Sequence, residues 1–171
     1  MFHLNSKVLA ARLFRMENKI ISPKEILVAV SGGFDPLHIG HIRLFEEAKK
    51  LGDKLVVILN NDNWLMQKKG YVFMPEEERV EIIKALKPVD EVVLTEHPKN
   101  PDYRHVAFTL RRVRPNIWAN GGDKGITNKD EVEACREIGC KMVAGVGGGK
   151  IQSSSWLVKK SVENQHGKEK D

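Results

Sequence analysis

The sequence predicts an α/β fold, a Rossmann-like three-layer sandwich with a mainly parallel five-stranded sheet. Residues 26–30 (ILVAV) and 55–59 (LVVIL) are continuous apolar runs, which are typical of strands buried on both faces of a parallel sheet. Between them, residues 39–51 place apolar side chains on one stripe, so a crossover helix is expected to end near Gly52. These three segments make one βαβ unit.

The alternation of strand and helix patterns continues along the chain. Pro75 followed by three glutamates predicts a helix start, because proline fits the first turn and acidic side chains favour the positive end of the helix dipole. Pro115 and Gly139 predict the ends of two later helices. The expected later strands are 92–94, 117–119 and 142–146, with helices over 106–113 and 129–138 between them.

Length and composition predict one domain over residues 24–162 of the 171-residue chain. Residues 1–23 carry a short basic amphipathic pattern and are expected to form a helical N-terminal extension, while the polar residues 163–171 are expected to fray. A net charge of +5 favours a partner that bears phosphate. Cys135 and Cys140 fit no zinc pattern and predict reduced thiols in a cytoplasmic protein, and no apolar run is long enough to span a membrane.

The segment 31–41 (SGGFDPLHIGH) follows the first strand and predicts a phosphate cradle. Gly32 and Gly33 allow a sharp turn and a close approach to a ligand, and the next helix offers unpaired N–H groups at its start. His38 and His41 can both donate to phosphate oxygens from this helix start, and Gly40 between them leaves the approach open. Asp35 either fixes the turn or helps to hold a divalent cation.

Two further segments are expected at the same edge of the sheet. Residues 120–123 (NGGD) follow a predicted strand and end in a carboxylate. After the last strand comes a triple glycine, followed by the hydroxyls of Ser153, Ser154 and Ser155 at a helix start, which is a second anion-binding pattern. A helix capped by one of these serines is a compatible alternative.

Several other residues leave two interpretations open. Lys68 and Lys69 beside Gly70 predict a mobile basic loop over a polyanion, or a solvated surface pair. Arg79 lies in a helix among acids, where an ion pair with a neighbouring glutamate is the alternative to ligand contact.

The histidines at 97 and 105 either contact an acceptor or lie exposed. The tryptophans at 64, 118 and 156 are expected in the core or at a subunit contact.

The segment GGFDPLHIGH resembles the GxFDxxHxGH signature of the cytidylyltransferase-like nucleotidyltransferases. Over residues 26–158 the chain is similar to glycerol-3-phosphate cytidylyltransferases and to the adenylyltransferase domain of ADP-heptose synthase. The similarity is carried by AKKLGDKLVVILNND, PEEERVEIIKALKPVDEVVL and NGGD. An arginine of the cytidylyltransferase form is missing before the serines, where this chain has Gly148, Gly149 and Lys150.

The resemblance implies a Rossmann-like fold and a role for each matching residue. It makes His38, His41 and Lys69 catalytic and assigns contacts to the acceptor or its phosphate to Lys68 and Arg79. The implied nucleotide-binding residues are Gly32, Gly33, Phe34, Asp35, Gly40, Asn120, Gly121, Gly122, Asp123, Ser153, Ser154 and Ser155. It also implies Mg²⁺ held mainly through nucleotide phosphates, with no protein ligand assigned, and a homodimer.

The predicted reaction moves a nucleoside monophosphate from CTP or ATP to a phosphorylated small acceptor and releases pyrophosphate. The expected acceptor is a sugar or polyol phosphate such as heptose 1-phosphate or glycerol 3-phosphate. A non-catalytic module that binds nucleotide or RNA is the alternative. Since no arginine-rich stripe with interleaved aromatic residues occurs, nucleic acid is the less favoured partner.

Overall fold

A single parallel sheet organises the chain, in a computed structural model that describes residues 25–122, 125 and 127–168. Its strands are β1 (Leu27–Gly32), β2 (Lys54–Leu59), β3 (Glu91–Leu94), β4 (Ile117–Gly121) and β5 (Lys141–Val146). Their order in the sheet is β3-β2-β1-β4-β5, and all neighbouring pairs are parallel. This confirms the predicted α/β class. The N-terminal extension predicted over 1–23 lies outside the described residues.

The described residues also form six helices. These are α1 (Ile39–Lys49), α2 (Asp62–Lys69), α3 (Glu76–Lys84), α4 (Ala107–Val113), α5 (Lys129–Ile138) and α6 (Ser154–Lys168). None of them is both long enough and apolar enough to cross a bilayer. The segment predicted to fray from residue 163 is helical through Lys168.

Helix α2 corrects one sequence prediction. Lys68 and Lys69 occupy its last turn and do not lie in a mobile loop. The helix begins after Asn61, whose side chain accepts a hydrogen bond from the backbone N–H of Trp64, and ends at Gly70 with φ of 80°. A helix of two turns with little amphipathic pattern is difficult to predict from hydrophobic periodicity. Its two capping signals, Asn61 at the start and Gly70 at the end, are nevertheless present in the sequence.

The two faces of the sheet bury separate clusters. Val28, Val30 and Leu59 pack on one face with side chains of α1 and α3, and Ala29, Ile58 and Trp118 pack on the other with α4 and α5. Successive strand residues point to opposite faces, so both faces of the central strands are apolar. The chain leaves β1 toward β2 on one side and reaches β4 on the other, which opens a crevice at the carboxyl end of β1.

The Arg79 guanidinium holds the loops around that crevice together. Arg79 lies on α3 and is fully buried. Its Nε donates to the Met74 carbonyl at 2.9 Å, and one terminal nitrogen donates to the carbonyls of Gly33 and Asn60, each at 2.8 Å. The other terminal nitrogen pairs with Asp62 Oδ1 at 2.5 Å. The loops after β1, after β2 and before α3 are thus joined by one side chain, and the alternative of a weak surface ion pair with a neighbouring glutamate is wrong.

Replacing Arg79 with methionine should lower the free energy of unfolding by about 3–5 kcal/mol, because three carbonyls and one carboxylate lose their buried donor. Urea denaturation followed by circular dichroism measures this loss. The matched control is Arg136→Met, since Arg136 is exposed and pairs with nearby Glu133, so its loss should move the urea midpoint far less than the loss of Arg79. Equal small losses in both variants would contradict the structural role.

Candidate active site

A cavity of about 1100 Å³ lies at the carboxyl ends of the strands and gathers most of the predicted site residues. Asp35 and Arg79 lie behind its wall and do not line it. Asp123 is outside the described residues. The predicted residues that do line the cavity are Gly32, Gly33, Phe34, His38, Gly40, His41, Lys68, Lys69, Asn120, Gly121, Gly122, Ser153, Ser154 and Ser155.

The two histidines cap the helix that carries them. His38 is the N-cap of α1, and its Nδ1 accepts a hydrogen bond from the backbone N–H of Gly40 at 3.1 Å. His41 Nδ1 accepts from the backbone N–H of His38 at 3.4 Å, and the two rings stack with centroids 3.6 Å apart. Because each Nδ1 acts as an acceptor, each neutral ring carries its proton on Nε2. The capping contacts therefore select the tautomer that offers Nε2–H as a donor.

The surroundings of His38 favour its neutral form. Burial lowers the pKa of His38, and the positive charge of Lys69 lowers it further. Lys69 Nζ donates to the Asp35 carbonyl at 2.6 Å, which fixes the amine beside the glycine turn. Burial lowers the pKa of Lys69 as well, while the Asp35 carboxylate acts in the opposite direction. A neutral imidazole and a partly desolvated ammonium are both strong donors to an anionic ligand.

The Asp35 carboxylate fixes the turn. It is fully buried, and its oxygens accept from the backbone N–H groups of Phe73 at 2.9 Å and Met74 at 2.7 Å. Phe34 adopts a positive φ of 47° and packs edge-on against His41, with ring centroids 4.9 Å apart. The glycine turn is tight, because a Cβ on Gly33 would lie 2.8 Å from the Leu65 side chain.

The start of α6 forms another wall of the cavity. Ser153 Oγ accepts from the backbone N–H of Trp156 at 3.2 Å, so the capping interpretation of the serines is confirmed for this residue. Ser154 Oγ donates to the Pro36 carbonyl at 2.9 Å, which joins α6 to the loop that carries the histidines. Gly147 is required before this helix, since its φ is 82° and a Cβ there would lie 2.9 Å from the Leu44 backbone.

The wall formed by α2 and the loop before α4 contains Trp64 and His105 together with Arg104, which the sequence did not single out. Trp64 is buried, and its Nε1 donates to the Arg104 carbonyl at 2.8 Å. Arg104 and His105 line the cavity. His97 is buried instead, with ring contacts to Thr95 Oγ1 at 2.9 Å and the His105 carbonyl at 3.3 Å, so neither interpretation offered for it holds.

The polar lining also includes Asn60, Asn128 and Glu131, none of which the sequence singled out as a site residue. Trp118 is in the core, as expected, yet it borders the cavity. The period-two alternation of β4 was the available signal that Trp118 and Asn120 share one face. Trp156, by contrast, is exposed.

Comparison with known proteins identifies the family. Residues 29–146 match the Cytidylyltransferase-like family. The chain belongs to this family. It is therefore an enzyme, a nucleotidyltransferase, which agrees with the histidine cradle at the carboxyl end of β1. The alternative of a non-catalytic binding module is not supported.

Two of the similar proteins share the name FAD synthase, and a similar solved structure carries another name. A protein named FAD synthase from Thermococcus onnurineus is 41% identical over 117 residues, which cover 68% of this chain and 75% of the relative. Another FAD synthase, from Archaeoglobus profundus, is 38% identical over 114 residues, or 67% of this chain and 69% of the relative. Among solved structures, a lipopolysaccharide core biosynthesis protein from Thermoplasma volcanium is 33% identical with a TM-score of 0.56, covering 70% of this chain and 95% of that one.

The His38 cap should make stability depend on pH. The folded state holds the pKa of His38 below its ordinary value of 6.5, so the unfolded chain binds more protons as the pH falls from about 6.5 toward the folded pKa. Stability is thus full above pH 6.5 and declines below it. In His38→Asn, an asparagine cap replaces the histidine without a titrating group, so the decline between pH 7.5 and 5.5 should be smaller.

The urea midpoint at each pH measures the effect. His97, whose pKa burial also lowers, is present in both proteins, so the difference between them isolates His38. Parallel pH profiles for the two proteins would rule out this linkage.

Proposed function

We propose that this enzyme adenylylates FMN. A phosphate oxygen of FMN attacks the α-phosphorus of ATP, the bond from that phosphorus to the bridging oxygen of the β-phosphate breaks, and pyrophosphate leaves with the electron pair. The product is FAD. Nucleotidyl transfer follows from the family, and ATP and FMN are the finer assignment made here.

The acceptor assignment draws on the relatives' shared name and on the size of the cavity. A site for one drug-sized ligand usually occupies about 300–1000 Å³, whereas this cavity measures about 1100 Å³. A cavity of this size has room for a nucleoside triphosphate and a second nucleotide together. Following the relatives' shared name, FMN replaces the sugar or polyol phosphate expected from the sequence.

The observation that carries the chemistry is the stacked histidine pair with both protons placed on Nε2. As negative charge grows on the α-phosphate, His38 and His41 donate to its oxygens, and Lys69 adds positive charge beside the glycine turn. The Ser153 and Ser155 hydroxyls and the backbone N–H groups at the start of α6 hold the outer phosphates, while the Ser154 hydroxyl donates to the Pro36 carbonyl. No covalent intermediate is needed, so catalysis consists of positioning and charge stabilisation.

Mg²⁺ fits this site as a companion of the nucleotide. Among the described residues no group of three or more histidine, cysteine or acidic side chains is placed to hold a metal. Both Asp35 carboxylate oxygens already accept backbone hydrogen bonds, so that carboxylate is not offered to a cation. A cation bound mainly through phosphate oxygens satisfies both observations and neutralises the triphosphate.

The direct test is pyrophosphate release with Mg²⁺ present, crossing ATP and CTP against FMN, glycerol 3-phosphate and heptose 1-phosphate. We expect release with ATP and FMN, and formation of FAD confirmed by chromatography. Release with a sugar or polyol phosphate and none with FMN would overturn the acceptor assignment while leaving nucleotidyl transfer in place.

His41→Ala should lower kcat by about 10²- to 10³-fold with a modest change in KM for ATP, because a donor to the transition state is lost. The matched control is Lys54→Ala, since Lys54 is an exposed cation at the opposite end of β2, paired with Glu25. Unchanged kcat in His41→Ala, with the control also unchanged, would remove the histidine from the mechanism.

We further propose a cytoplasmic homodimer, as the sequence resemblance implies. Light scattering coupled to size exclusion tests the oligomeric state. A mass of one chain would overturn the dimer.

A further inference from the structure

Three buried polar atoms at the cavity wall have no hydrogen-bond partner among the described residues. They are Asn60 Oδ1, Trp118 Nε1 and Asn120 Nδ2. The first two belong to residues that are 97–98% buried, with relative exposures of 3% and 2%. All three residues line the cavity. Buried polar groups are nearly always paired, so three unpaired atoms on residues that line one cavity indicate a ligand that pairs with them.

The three side chains lie on one face of the sheet. Trp118 packs with Val106 and Ala107 in the cluster beneath α4 and α5. Asn120 is two residues further along β4, and Asn60 is two residues beyond Ile58, which belongs to the same cluster. Alternation holds along β4 and continues one residue past the end of β2, where the Asn60 N–H still donates to the Gly32 carbonyl. The set, which we name the polar row, therefore lies on the α4 and α5 side. The histidines lie on α1, which packs against the opposite face.

This placement separates the polar row from the triphosphate. The start of α6 is joined through Ser154 to the loop that carries the histidines, on the α1 side. In an in-line displacement the attacking and leaving oxygens lie on opposite sides of the α-phosphorus. If pyrophosphate leaves toward α6, the acceptor approaches from the α4 and α5 side. The polar row is therefore positioned for the acceptor, which reassigns Asn120 from the nucleotide, where the sequence resemblance placed it.

The chemistry of the row restricts what the acceptor presents there. Trp118 Nε1 can only donate, so its partner is an acceptor atom. Each asparagine amide can offer either its oxygen or its nitrogen, so the pair can accept from one ligand N–H and donate to a second ligand oxygen. The neighbouring Val106 side chain is apolar and buried, which favours a flat ring over a hydrated sugar.

We propose that Asn60, Trp118 and Asn120 form the recognition site for the acceptor's heterocycle and pair with polar atoms along the pyrimidine side of the isoalloxazine ring, with Asn60 accepting from the imide N–H. That side of the ring carries one N–H together with carbonyl oxygens and ring nitrogens, which supplies the donor and the acceptors that the polar row lacks. The proposal rests on the proposed function, since it assumes a flavin acceptor. It also names the residues by which the enzyme would distinguish a flavin from a phosphorylated acceptor that has no heterocyclic ring.

Two substitutions and one modified substrate test the polar row. Trp118→Phe removes the N–H and keeps an aromatic ring, and Asn60→Ala removes one amide. Each should raise both KM and the calorimetric Kd for FMN by about two- to tenfold, the effect of one lost neutral hydrogen bond, and leave KM for ATP unchanged. FMN methylated at the imide nitrogen should bind the wild type more weakly than FMN does, and Asn60→Ala should reduce that difference.

Trp156→Phe is the matched control, because Trp156 is exposed on α6 and lies outside the cavity lining. Thermal unfolding confirms that each variant is folded. No pyrophosphate release from wild type with ATP and FMN would overturn the proposed function itself. Activity with FMN but unchanged FMN affinity in both variants, or a raised KM for ATP in place of FMN, would overturn only the polar row.

Discussion

The buried guanidinium of Arg79 is the constraint on which the architecture of the site depends. The loops after β1 and β2 and the segment before α3 contact one another through the four hydrogen bonds of this side chain. Two of these loops lead directly into the glycine turn and into α2, which carries Lys68 and Lys69. A charged group far from solvent is costly unless fully paired, so the loops have few alternative arrangements that keep every donor satisfied.

The sheet was predictable because its central strands are buried on both faces. The apolar runs at 26–30 and 55–59 match β1 and β2 to within two residues, and the helix predicted over 129–138 matches α5. Helix α2 was missed because its side chains serve several loops and not one apolar face. Local periodicity reports burial on a single surface, so an element held mainly by caps and long-range hydrogen bonds leaves a weak pattern.

The histidine cradle was predictable for a different reason, since its residues are adjacent in sequence and their chemistry is carried by backbone geometry. Asn60 follows β2 and Trp118 lies in β4, and nothing in either local sequence indicates that they meet at one cavity. Arg79 shows the converse: its sequence context suggested a surface ion pair, and only tertiary packing reveals the carbonyls that surround it. A single sequence does not show which residues far apart along the chain contact one another in the folded protein.

The reciprocal cap formed by His38 and His41 also links local unfolding to catalytic competence. The backbone N–H groups of His38 and Gly40 are held by the same ring nitrogens that fix the two tautomers. Fraying of the first turn of α1 would release those amides and let both rings rotate away from the cavity. The population of the competent enzyme is thus set by the opening equilibrium of one helical turn, and solvent exchange of these amides reports it.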